Sequence, residues 1–151
     1  MIHRASRRRL ALALRRYAAG HTTNNDLDSV DVDWRDRGAV AIAGMAWRLY
    51  DDSFTHRAVG RHALNRELRR TVARWVVFLH SDEEYLWPEY NFVEVSSGMG
   101  SILTLGWWGR HKARRWQEFT EAGQFEHWPF ISRDQELTAM AKSRFMGRSD
   151  A

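Results

Sequence analysis

Residues 65–80 read Asn-Arg-Glu-Leu-Arg-Arg-Thr-Val-Ala-Arg-Trp-Val-Val-Phe-Leu-His, and their reading decides the fold. Leu68, Val72, Trp75, Val76 and Leu79 recur at spacings of three and four, which places them on one side of a helix. Glu67, Arg69, Arg70 and Arg74 then face away. Asn65 carries a short polar side chain suited to cap the first turn. The stretch therefore predicts a long amphipathic helix ending near His80.

On its C-terminal side, Ser81-Asp82-Glu83-Glu84 has the form of a capping box and predicts one further helical turn. Trp87-Pro88 would end that turn, because the residue before proline is pushed out of the α region. On its N-terminal side, Asp36 to about Asp51 predicts an alanine-rich helix with Val40, Ala43, Met45, Trp47 and Tyr50 inward. Gly44 costs that helix about 1 kcal/mol relative to alanine, which a close helix crossing would explain.

A first helix is expected from Arg4 to Ala19, with Leu10, Ala13, Leu14 and Tyr17 at helical spacing and Gly20 as its stop. Thr22-Thr23-Asn24-Asn25 offers caps for a short turn through Leu27. Val30, Val32 and Trp34 alternate with aspartates, as in a brief strand or an extended loop. Residues 91–95 are also strand-like, and 96–100 form a small glycine–serine turn. Lys112 to Glu121 predicts a helix with Trp116 and Phe119 inward. Ser132-Arg133-Asp134-Gln135 opens a last helix through Leu137, Met140, Ala141 and Phe145. The expected fold class is mainly α: a single compact helical domain over residues 1–151, of about five helices, with a short β element possible near 30–34 or 91–95. Residues 1–3 and 147–151 are expected to fray.

Composition agrees with a globular chain. The 151 residues are 44% hydrophobic and 13% aromatic, with eight tryptophans, enough to build a core. There is no cysteine, so disulfides, thiolate metal sites and cysteine nucleophiles are excluded. No secretory signal is evident, and a cytoplasmic protein is expected. The net charge of +4 is distributed in blocks. Residues 1–25 carry six arginines and no acid, the form of an organellar transit peptide or of a basic first helix. The helix is favoured, because residues 26–36 supply Asp26, Asp28, Asp31, Asp33 and Asp36 to answer it. Asp82, Glu83, Glu84, Glu89 and Glu94 form a second acidic block, followed by Arg110, Lys112, Arg114 and Arg115. Alternating blocks point to pairing within the molecule more than to one uniformly basic face.

Catalytic signatures are sparse. Seven histidines include no HExxH and no i, i+4 pair, and no metal or cofactor is expected. His80 with Asp82, Glu83 and Glu84 is the nearest to a metal or acid–base set. The same residues suit a helix end, with His80 at a C-terminus and the acids at an N-terminus. The aspartates of 26–36 lack the glycine and distal glutamate of a calcium loop. Gly98-Met99-Gly100-Ser101 lacks the lysine of a phosphate-binding loop and the third glycine of a dinucleotide motif.

The most unusual stretch is Val95 to Gly109, fifteen consecutive uncharged residues that end in Trp107-Trp108. It is too short and too rich in glycine and serine to span a bilayer. As a buried strand or loop it would be core. As a binding loop it would offer Trp107 and Trp108 as anchors, with Arg110, Lys112, Arg114 and Arg115 as an electrostatic rim. As a peripheral element it would contact anionic lipid or a nucleic-acid backbone. Trp47 and Trp75 are assigned to the core with Trp116, and Trp87 and Trp128 to chain-breaking positions beside proline. Only Trp107-Trp108 has no structural assignment.

Several pieces stand together: Gly20 to Asp26, Leu49-Tyr50-Asp51-Asp52, Ala73 to Asp82 with Tyr85 and Trp87-Pro88, and Trp128-Pro129-Phe130. Together they resemble a set of small uncharacterised bacterial proteins. The resemblance implies one compact, mainly helical cytosolic domain and carries over no catalytic residue. The expected function is a non-enzymatic protein–protein interaction or accessory domain, of the immunity or antitoxin type, with a protein partner. The alternatives are an enzyme using His80, Asp82, Glu83 or Glu84, and a nucleic-acid or membrane-surface binder acting through the N-terminal arginines.

Overall fold

The computed structural model describes residues 1–49, 53–90 and 107–142, the last segment with side chains from 113 onward. It is mainly α. Six α-helices lie among the described residues: α1 (Arg4–Ala18), α2 (Asn24–Asp28), α3 (Arg37–Ala46), α4 (Arg66–His80), α5 (Trp107–Glu121) and α6 (Arg133–Lys142). Short 3₁₀ turns stand at Trp47–Leu49, Gly60–His62 and Phe125–His127. None of the described helices is long and apolar enough to cross a membrane.

α4 forms where its periodicity places it. Asn65 accepts the Leu68 amide at 2.8 Å, and Val72, Trp75, Val76 and Leu79 are buried. Phe78 is buried as well, because α4 is covered on more than one side. α1 packs along it, and α3 and α6 meet it too. The α1–α4 pair runs antiparallel, since Arg4 and Arg7 at the start of α1 reach Asp82, Ser81 and Glu83 just beyond the end of α4. α1 stops at Gly20, whose φ of +73° suits a residue without a side chain. Thr23 then caps α2 in a reciprocal box with Asp26.

The acidic block does answer the basic helix, and its tightest pair is buried. Arg7 and Asp36 are each about 1% exposed. Arg7 Nε and Nη2 donate to the two Asp36 oxygens at 2.7 and 3.1 Å. Arg7 Nη1 donates to the Ser81 and Glu83 carbonyls, and the guanidinium carbon lies 4.8 Å from the centre of the Phe78 ring. Asp36 also accepts the His3 amide and, as the cap of α3, the Ala39 amide. Desolvation would raise the Asp36 pKa. Hydrogen bonds from Arg7, His3 and Ala39 together with the Arg7 charge outweigh it, so the carboxyl sits below its ordinary range. His3 is thereby tied to the fold at a position expected to fray.

Several expectations are corrected. Val30 to Asp33 form no strand, since the Asp33 amide donates to Ser6 Oγ and not to a neighbouring strand. Residues 91–95 lie outside the described residues, as do Tyr50, Phe145 and 147–151. Ser81 caps the end of α4 and opens no further turn: its hydroxyl donates to the Phe78 carbonyl and accepts the Glu83 amide. The chain then extends, with Tyr85 and Trp87 buried and Leu86 and Pro88 exposed. The buried face of α3 is Ala39, Ile42, Met45 and Ala46, whereas Val40 is exposed. Trp47 is 40% exposed, because the helix tightens into a 3₁₀ turn at that residue. Trp87 and Trp128 are core residues. Trp87 is fully buried and donates Nε1 to the Phe130 carbonyl, and Trp128 donates to the Tyr85 hydroxyl.

Candidate functional site

Three elements leave an open groove of about 390 Å³ between them. α3 contributes its outer stripe, Arg37, Val40, Ala41 and Gly44, at the i, i+3, i+4, i+7 spacing of one helix face. The Asp36 cap, clamped by Arg7, fixes where that helix begins. The extended segment contributes Tyr85, Pro88, Glu89 and Tyr90. Trp87 anchors this segment, and Tyr90 packs on Trp116 and Phe119 with ring centres 5.3 and 5.1 Å away. α5 supplies Arg115, and the turn before α3 supplies Trp34.

Trp34 is 77% exposed, an unusual position for an indole, with the Arg35 guanidinium 5.3 Å from its ring centre. Arg37 donates to the Trp87 carbonyl at 3.0 Å and lies 3.7 Å from the Glu89 carboxylate. Both side chains are substantially exposed, so this pair contributes little to stability. Two guanidiniums, Arg37 and Arg115, against the one carboxylate of Glu89 leave the rim cationic. Burial pushes the Tyr85 hydroxyl well above the usual phenol range, more than its bond from Trp128 and the Arg37 charge bring it down, so it stays protonated. The groove thus offers aromatic faces and positive charge.

Of the six partner-binding residues expected from sequence, Arg115 lines this groove. Arg114 is turned to Glu118 at 2.8 Å on the exposed side of α5. α5 begins at Trp107, five residues before the expected start, so Trp107, Trp108, Arg110 and Lys112 are helical. Their side chains lie outside the described residues, as do residues 95–106.

The His80 cluster does not converge. Asp82 pairs with Arg4 at 2.8 Å, and Glu83 meets Gln135 and Lys142. Burial lowers the His80 pKa, and the charges of Arg15 and Arg8 lower it further. No group of three potential metal ligands occurs among the described residues. Sequence reasoning missed Trp34, Arg37 and Tyr85 as groove residues. The available signal was a tryptophan set among aspartates, Asp31, Asp33 and Asp36, in a segment with no helical periodicity. Compared with known protein families, with curated proteins and with solved structures, the chain shows no match.

Proposed function

We propose that this chain is a non-catalytic interaction domain that holds an acidic, aromatic-containing segment of a partner protein in the groove beside Trp34. The observation that carries the proposal is the exposure of Trp34 at a concave surface shared with Val40, Tyr85, Pro88 and Tyr90 and rimmed by Arg37 and Arg115. Tryptophan and arginine dominate binding energy where they can be desolvated together. A cationic rim selects acidic partners and excludes basic ones. An accessory or immunity-type role is consistent with such a surface.

A random peptide library displayed on phage is the direct probe. Selection on the wild-type protein is expected to enrich sequences that set an aromatic residue beside one or two acids. Trp34→Ala should cost about 2 kcal/mol, roughly a 30-fold loss of affinity for an enriched peptide. Absence of any enrichment, or enriched peptides that bind Trp34→Ala and Arg115→Glu as well as wild type, would overturn the proposal.

A further inference from the structure

A second surface lies on the outer side of the α1–α4 pair. α1 contains no acidic residue, and its exposed side carries Arg8, Leu12, Arg15 and Arg16 at i, i+4, i+7 and i+8. On α4, Arg66, Arg69, Arg70, Ala73, Val77 and His80 recur at spacings of three and four and form a second stripe. The two stripes adjoin, because Arg8 and Arg15 are close enough to His80 for their charges to act on it. Arg66, Arg69 and Arg70, with Leu64 and Ala73, line a shallow depression of about 360 Å³. Arg8, Arg16, Arg66 and Arg70 make no ion pair among the described residues, unlike Arg4, Arg7, Arg9 and Arg74. Glu67 stands to the flank, about 100° round the helix from Arg66.

We infer that this face binds the phosphate backbone of duplex nucleic acid, without regard to base sequence. Arginines on two adjacent helices suit regularly spaced phosphates, which guanidinium groups recognise bidentately. The stripes contain no tryptophan, tyrosine or phenylalanine, and His80 is their single ring. Single strands are held by base stacking on aromatic rings, and bilayer interfaces by tryptophan and other large apolar anchors. With one imidazole and one exposed large apolar side chain, Leu12, the face is poor in both, which leaves the duplex backbone as the ligand that best matches its chemistry. This inference stands apart from the groove, whose arginines lie on α3 and α5.

The test is fluorescence anisotropy with a labelled 20-base-pair DNA duplex across a salt series from 50 to 200 mM. Binding should weaken linearly in log–log form. Arg66→Gln/Arg70→Gln and Arg8→Gln/Arg16→Gln should each reduce the slope by about 1.8, as two lost phosphate contacts require. Arg37→Gln/Arg115→Gln in the groove should leave the slope unchanged. Circular dichroism should show all three pairs folded, since exposed arginines contribute little to stability. No binding at 50 mM salt would overturn the inference, as would equal slopes for wild type and both stripe variants, or tighter binding to anionic phosphatidylserine vesicles than to the duplex.

Discussion

Removing the Asp36 carboxylate is expected to be among the most damaging single changes to this fold. Asp36→Ala deletes the acceptor of four hydrogen bonds, from His3, from Arg7 twice and from Ala39, at 2.7 to 3.2 Å. It leaves the Arg7 guanidinium buried beside Phe78 with its charge unanswered. Breaking a buried ion pair from one side costs about 3–5 kcal/mol, and loss of a helix cap accounts for about 1 kcal/mol of that kind of penalty. A total near 4 kcal/mol is a large part of the roughly 5–15 kcal/mol that stabilises a domain. Arg7→Met keeps the apolar stem and strands the carboxylate instead, at about 3 kcal/mol. The double variant Arg7→Met/Asp36→Ala should fall near 5 kcal/mol and not near the sum, a coupling of about 2 kcal/mol. Urea unfolding followed by tryptophan fluorescence and far-ultraviolet circular dichroism measures all three. If Asp36→Ala does not fold, Asp36→Asn retains the cap acceptor and allows the same cycle. A cost below 1 kcal/mol for either single change, or strictly additive losses, would refute the reasoning.

Other outcomes follow from the same contacts. Because the folded Asp36 carboxyl sits below its unfolded value of about 3.9, its contribution is complete above that pH and is lost as pH falls further. Asp36→Asn should therefore flatten the acid-side loss of stability below about pH 4, read from urea midpoints. His80 is also depressed, but for a base the sign reverses. The unfolded chain takes up its proton first, so stability falls as pH drops below about 6.5, and His80→Gln should remove part of that slope. Arg8→Gln should raise the His80 pKa towards its ordinary value in an NMR titration, and no shift would separate the two stripes. A Cβ at Gly38 would stand 2.7 Å from Phe78 Cε1 and 3.2 Å from Arg7 Nη2, so Gly38→Ala should cost about 1–3 kcal/mol in thermal or urea unfolding. Trp87→Phe strands the Phe130 carbonyl, whereas Trp75 Nε1 has no hydrogen-bond partner among the described residues. Trp87→Phe should therefore be the more destabilising by about 1 kcal/mol, and equal losses would contradict the assignment.

Local rules made most of the helices legible and left the surfaces unread. α1, α2 and α4 follow from apolar spacing, Gly20, the Thr23 cap and Asn65, all signals carried within a few residues. Ser81 shows the limit of such signals. Its capping-box pattern is overruled because Tyr85 and Trp87 enter the core from an extended chain. Burial of Trp87 and Trp128 depends on partners 43 residues away in each case, which no local pattern contains. Spacing alone places Val40 and Trp47 inward, but α3 turns Ala39, Ile42 and Met45 to the core and leaves them outside. The groove joins Trp34, Tyr85 and Arg115 from three distant parts of the chain, so of its members only Arg115 stood out in the sequence.

The most direct test of the groove is a charge-swap titration by calorimetry with a peptide enriched on the wild-type protein. Arg115→Glu should weaken binding at least tenfold, about 1.4 kcal/mol, and replacing the peptide's acid with lysine should recover most of that loss. Unchanged affinity in Arg115→Glu, or a loss that the lysine peptide fails to recover, would contradict recognition of an acidic segment beside Trp34.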